Sequence, residues 1–395
     1  MENSKELFKK HIAQTSTFDA FQIDVAKAEG IYVYDKSGKQ YIDLMSGIAV
    51  GNVGHCHPAV VKAIHEQADK YLHVMVYGEF IESPQVKLAK RLSDLLPGNL
   101  NMTFFVNSGS EAIEGAIKLA KKYTKRSEII AFKGGYHGST LGAVSILGDE
   151  KYKQDFRPLL PDVKILEFNN SNDIDQITEK TCCVVIEVIQ AGAGIRIADK
   201  EFLQKLRNKC TKTGTLLILD EIQTGFGRTG KLFAFEHYQI VPDILCIAKS
   251  MGGGMPIGAF ISSNIIMDSL NDEHPLLGHA TTFGGHPVSC AASLAALNVL
   301  IEDNLMNDVD AKATLFKSYL KGHQNIKEIR NLGLFMAIEL KDSKAIDKVV
   351  ERCIANGLIT FWFLYNHDSL CIIPPLVITN EEIKEASNRL IKSLN

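Results

Sequence analysis

Short apolar runs alternate with amphipathic stretches through the middle of the chain. The runs fall at residues 102–106, 129–132, 164–168, 183–189, 216–220 and 244–247, with apolar positions at helical spacing between them. Parallel strands need long crossover connections, and helices supply them, so this alternation predicts a mostly parallel sheet flanked by helices. Ahead of it, Gly30 to Asp35 and Lys39 to Leu44 flank the turn Lys36-Ser37-Gly38, the pattern of a β-hairpin. Helical periodicity dominates from His57 to Leu96. After residue 290 the spacing predicts helices over 288–301, 309–320, 345–356 and 381–393, with strands near 333–340 and 370–373. The expected organisation is an N-terminal segment with a hairpin (1–50), a large α/β domain (51–290) and a smaller C-terminal α+β domain (291–395).

Composition narrows the field without naming a chemistry. Hydrophobic residues make up 46%, charged residues 23%, and the net charge is −3, values of an ordinary globular protein that point to neither a nucleic-acid nor a membrane partner. No apolar run approaches the roughly 18 residues of a membrane span, and residues 1–14 are polar and charged rather than leader-like, so a cytoplasmic protein is expected. The eight cysteines form no C-x-x-C pair and sit mostly in apolar runs. They read as buried free thiols in a reducing compartment, and no metal site is expected.

Candidate chemistry begins where apolar runs end. Leu216-Leu217-Ile218-Leu219 closes on Asp220, and Ile244-Leu245-Cys246-Ile247-Ala248 closes on Lys249. In a parallel sheet both residues stand at strand carboxyl ends, where open α/β folds bind ligands. An amine facing a carboxylate there would suit pyridoxal 5'-phosphate (PLP): the amine joins the cofactor aldehyde and shuttles protons, and the anion keeps the pyridine nitrogen protonated. Spacing alone favours a plainer reading, with Asp220 capping a turn and Lys249 solvated. The surroundings shift the balance. Gly252-Gly253-Gly254 after Lys249 lets backbone pass close to a flat group. Ser108 and Glu111 have capping-box spacing at the start of a helix carrying Ala112, Ile113, Ala116 and Ile117, and a helix start of this kind binds phosphate. Gly134-Gly135-Tyr136-His137-Gly138 places an aromatic at another strand end, where Tyr136 could stack on a ring. Gly225-Phe226-Gly227-Arg228-Thr229-Gly230 spells a dinucleotide fingerprint but neither follows a strand at once nor opens a convincing helix, so nucleotide-dependent oxidoreduction is set aside.

Four separated segments together resemble the class III aminotransferases, a group that includes the acetylornithine, ornithine and 4-aminobutyrate enzymes. They are Asn107-Ser108-Gly109-Ser110-Glu111-Ala112, the stretch 219–230, Ala248-Lys249 with its glycines and Pro256-Ile257-Gly258, and Thr281-Thr282-Phe283-Gly284-Gly285. The resemblance runs from about residue 20 to the C-terminus. It implies a fold-type-I PLP-dependent transferase acting as a homodimer with shared active sites. In that picture Lys249 is the Schiff-base lysine, Asp220 pairs with the pyridine nitrogen, and Gln223 lies near the ring hydroxyl. Ser108, Gly109 and Ser110 surround the phosphate, Tyr136 stacks on the ring, His137 and Glu187 support from behind, and Thr282 reaches the phosphate in the neighbouring subunit. The implied reaction moves an amino group from an amine or amino acid to an oxo acid in two half-reactions.

The chain departs from the pattern in one place. Acetylornithine- and ornithine-type members carry an arginine for the substrate α-carboxylate just before a Pro-Pro segment, and a glutamate that pairs with it when idle. Here those positions are Cys371 and Gly192. A thiol cannot replace a bidentate guanidinium clamp, so a donor or acceptor other than acetylornithine or ornithine is expected. The loop 73–84 looks longer and more apolar than its counterpart. Racemisation, decarboxylation or aminomutase chemistry on the same lysine and aspartate is the alternative reaction class. A PLP-fold subunit without catalysis is the alternative outside enzymes.

Overall fold

The computed structural model describes residues 4–13, 23–76, 80–271 and 279–395. A seven-stranded sheet runs, edge to edge, Met102–Val106, Gly258–Ser262, Ile244–Ile247, Leu216–Asp220, Thr181–Ile186, Glu128–Phe132 and Val163–Leu166. Six strands point the same way, as the alternation predicts. Gly258–Ser262 is reversed, pairing antiparallel with both Ile244–Ile247 and Met102–Val106.

Alternation of side chains across the central strands decides what packs where. Leu217, Leu219, Val184, Ile186, Leu245 and Ile247 face one core with Phe202 and Leu206 of the helix Lys200–Thr213. Their neighbours Leu216, Ile218, Cys183, Val185, Ile244 and Cys246 face the other, with Ala112, Ile113, Ala116 and Ile117 of the helix Gly109–Thr124. Covered on both faces, these strands are apolar at nearly every position, and each buried aliphatic side chain contributes about 2 kcal/mol to the sheet's stability.

The hairpin is present as Tyr32–Asp35 paired with Gln40–Asp43. It gains Val25–Glu29 on one side and, in parallel, Leu358–Ile359 from far along the chain on the other. The helical periodicity over 57–96 belongs to two helices, Pro58–Ala68 and Ser83–Leu95, because Pro58 and Pro84 suit the first turn of a helix and the segment between is non-helical where described. Of the loop 73–84, residues 77–79 lie outside the described residues. The expected strand over 333–340 begins instead at Phe335 and pairs with the unforeseen Ile326–Leu332, the turn between them carrying Gly333 at φ 58°. Ser369–Ile372 and Phe361–Trp362 complete this second sheet. Seven cysteines are buried and Cys56 is exposed, all as free thiols. Among the described residues no helix is long and apolar enough to cross a membrane, and no His, Cys, Asp and Glu cluster could hold a metal.

Candidate active site at the strand ends

Because six strands are parallel, the segments that follow them converge on one edge of the sheet. There a cavity of about 460 Å³ is lined by Ser108, Gly109, Ser110, Tyr136, His137, Glu187, Asp220, Gln223 and Lys249, nine of the ten residues singled out from the sequence. The tenth, Thr282, is exposed and lies outside this lining.

The reversed strand brings the two ends of the cavity together. It starts at Gly258, directly opposite Val106, so the turn after Lys249 returns beside the helix start at Ser108. A Cβ at Gly258 would stand 2.5 Å from the Ser108 carbonyl oxygen, which leaves glycine as the residue that fits. At the helix start, the Ser108 hydroxyl accepts from the Glu111 amide at 3.2 Å. The expected return bond goes one residue further back, the Glu111 carboxylate accepting from the Asn107 amide at 2.7 Å and its side-chain amide at 2.9 Å. That cap leaves the Gly109 and Ser110 amides, which have no partners inside the helix, at its positive end.

Asp220 is 4% exposed. Its Oδ1 accepts from the Ile222 amide at 3.1 Å, and its Oδ2 lies 2.8 Å from His137 Nδ1. Burial works against a charged His137, but the hydrogen bond and charge of Asp220, with Glu187 behind, outweigh it and raise its pKa. The contact fixes the Asp220 carboxylate at the point where a cationic ring nitrogen would need it. Glu187 accepts from the Tyr136 amide at 2.9 Å and the Ala191 amide at 3.3 Å, tying the aromatic loop to a strand end. Burial pushes its carboxyl up to about 7, with the charge of Asp220 adding and that of His137 opposing. The half-buried Lys249 amine is held below its usual range by burial, against the attraction of Asp220 and Glu187. A lysine with this depression has more of the free-base form that attacks an aldehyde.

These features fit PLP. The helix start would suit a phosphate, the Asp220–His137 pair a protonated ring nitrogen, and the Lys249 amine an aldehyde. The Gly138 backbone passes so close to Ser110 that a Cβ there would meet its Oγ at 2.1 Å, which brings the Tyr136 loop against the helix start.

The glycine motif 225–230 is a turn, as expected of a decoy, but the reading missed its arginine. Arg228 is fully buried and donates to the carbonyls of Leu334, at 3.3 Å, and Pro374, and to Asn52 Oδ1. No carboxylate pairs with it among the described residues, and burial lowers its pKa to about 9. A second set went unread altogether. Phe361, Trp362 and Tyr365, with Tyr152, wall a neighbouring cavity of about 810 Å³ that shares Tyr136, Glu187, Gln223 and Lys249 with the first. The sequence signal was the run Phe361-Trp362-Phe363-Leu364-Tyr365, which holds the chain's single tryptophan.

The family model "Aminotransferase class-III" matches residues 13–394. The acetylornithine aminotransferase of Methanopyrus kandleri is 38% identical over 396 residues, covering 99% of each chain. That of Caldanaerobacter subterraneus is 40% identical over 389 residues, covering 96% of this chain and 95% of its own. The ornithine aminotransferase structure from Toxoplasma gondii that reveals partial occupancy of PLP at its active site superposes with a TM-score of 0.90 at 28% identity, covering 99% of this chain and 93% of that one. The chain therefore belongs to the class III aminotransferases and is a PLP-dependent enzyme of that family.

Proposed function

We propose that this aminotransferase takes its amino group from a donor other than acetylornithine or ornithine and passes it to an oxo acid, with Lys249 and Asp220 as its catalytic residues. The observation that carries the reading of roles is the convergence of Lys249, Asp220 and the Ser108 helix start on one cavity. When bound, PLP supplies a ring that accepts the electron pair left as the substrate loses its α-proton. Lys249 Nζ takes that proton and returns it at the adjacent carbon. Asp220, oriented by His137, holds the pyridine nitrogen protonated. The Gly109 and Ser110 amides with the Ser108 and Ser110 hydroxyls anchor the phosphate, Tyr136 covers the ring face, Gln223 serves the ring oxygen, and Glu187 keeps the Tyr136 loop in place.

The altered donor is supported by Cys371 and Gly192. Cys371 lies 3% exposed on Ser369–Ile372, its thiol pushed up by burial, in the place where the resemblance implies a carboxylate-binding arginine. We also propose a homodimer in which Thr282 serves the neighbouring site. Leu72, Val74, Phe80, Ile81 and Phe283 are all exposed apolar residues, Ile81 at 92%, and Thr282 adjoins Phe283. The free thiols support a reducing, cytoplasmic setting.

The test mixes the PLP-loaded enzyme with single amines and follows the cofactor's absorption. Conversion to the pyridoxamine form by a donor other than acetylornithine or ornithine is expected, with transfer to an added oxo acid. Exchange of a labelled α-hydrogen without amine transfer would instead indicate a racemase. Acetylornithine as the preferred donor would overturn the substrate reading alone.

A further inference from the structure

The cavity beside the cofactor site has its own chemistry. Phe361 and Trp362 stack with ring centroids 4.0 Å apart, and Tyr365 lies 4.8 Å from Tyr152 and 6.5 Å from Tyr136, so aromatic faces surround the space. Leu364 adds an aliphatic edge that is 49% exposed. The Tyr365 ring fills what a side chain at 192 would need. A Cβ on Gly192 would come within 3.3 Å of the ring, whose own backbone amide donates to the Gly192 carbonyl at 2.7 Å. The Tyr365 hydroxyl is buried without a hydrogen-bond partner among the described residues, so packing is what holds the ring there.

Among the described residues, no cation other than Lys249 stands in the interior to meet a substrate carboxylate. No arginine is among the lining residues, and Arg228 is committed to carbonyls and Asn52. Lys151 lies exposed at the rim, its amine over the Tyr152 ring, and His367 at the rim faces Asp347 at 3.3 Å. The anionic side is present instead, as Glu187 and Asp149. Ile48 stands at the mouth, 56% exposed, with φ 66° and ψ 57°. A β-branched residue in the left-handed region is strained, and such strain collects at ligand contacts.

We infer that this cavity binds a primary amine whose non-reacting end is an uncharged apolar group, aryl or alkyl, with Phe361, Trp362, Leu364 and Tyr365 setting the specificity. The inference rests on the aminotransferase reading for the placement of the amine at Lys249. It adds the class of donor. Burying each further methylene against these side chains tightens binding about fourfold.

Trp362, as the single tryptophan, reports on the cavity without turnover. The PLP-loaded enzyme is titrated with 2-phenylethanol, 3-phenylpropanol and 4-phenylbutanol, and with 3-phenylpropanoate, while Trp362 emission is recorded. A saturable change is expected, tightening with each methylene, the alcohols binding at least tenfold more tightly than the carboxylate. Leu364→Asp should weaken 3-phenylpropanol at least tenfold while the variant still takes up PLP, which shows that it folds. Tighter binding of the carboxylate, absence of a saturable change, or an unaffected Leu364→Asp variant would each overturn the inference. A parallel half-reaction separates it from the reading beneath. Should 2-phenylethanol bind and 2-phenylethylamine leave the cofactor unconverted, the aminotransfer role fails and the apolar cavity stands. Should N-acetylornithine convert the cofactor tenfold more efficiently than 2-phenylethylamine, the apolar cavity fails and aminotransfer stands.

Discussion

The two cavities share a wall and are built on opposite plans. The one that fits PLP is assembled from strand ends and a helix start, its side chains fixed by hydrogen bonds such as His137 to Asp220 and Tyr136 to Glu187. Its neighbour is closed by a short second sheet and a loop, and is lined by rings held through packing. Within one family the first plan tolerates little change, because charges and amides must meet fixed atoms of a cofactor. The second changes its ligand by exchanging one apolar side chain for another. On the proposed reading, this contrast is what lets a chain 38% identical to an acetylornithine aminotransferase keep the family's chemistry and take another donor.

Variants can break this comparison at different strengths. The largest effect is expected for Lys249→Ala, which should cut turnover at least about 10³-fold, since both the nucleophile and the proton carrier are lost. Phosphate-anchored PLP should remain detectable after gel filtration, and an active Lys249→Ala enzyme would remove the basis for the first plan. Next comes Arg228→Met, on the buried residue that ties the glycine turn to Asn52 and to the Leu334 and Pro374 carbonyls. Leaving the Leu334 and Pro374 carbonyls and Asn52 without their donor should cost about 3 kcal/mol, read as a lower urea midpoint. An unchanged midpoint would mean that the burial of an unpaired guanidinium already cancels its bonds.

Phe361→Ala tests the second plan alone. It should reduce kcat/KM for an apolar donor about tenfold while the cofactor spectrum keeps its form. The smallest effect on turnover is expected from a buried carboxyl on the cofactor side, whose titration shows in stability instead. Glu221, fully buried with its carboxylate accepting from the Ala234 and Phe235 amides, has its carboxyl pushed by burial from 4.5 up to about 7. Between those values the native state holds a proton that the unfolded chain has released, so stability falls as pH rises from about 4.5 to about 7. At about 1.4 kcal/mol per pKa unit, about 3 kcal/mol is at stake. Urea midpoints of the apoprotein at pH 5 and 8 should differ less in Glu221→Gln than in the parent, and an equal difference would assign the slope elsewhere.

How much of this was legible in the sequence follows the same division. Lys249, Asp220 and Ser108 could be read because strand ends in a parallel sheet converge whatever the loops do. The run 361–365 could not be read, because apolar side chains look alike whether they fill a core or line a cavity. Only the approach of Gly192 and Tyr152 makes it a wall. Arg228 was hidden for a related reason, since a charged residue among glycines looks solvated until the carbonyls around it are placed. The antiparallel strand escaped because direction leaves no mark on a fully buried apolar run.

That reversed strand has a consequence for synthesis. The helix start that would hold the phosphate belongs to residues 108–124, but the strand that seats it against Lys249 follows more than a hundred residues later. At 5–20 residues per second the interval is on the order of ten seconds. During that time the nascent chain carries a cradle with no far wall, so tight capture of PLP reports that the whole sheet has closed.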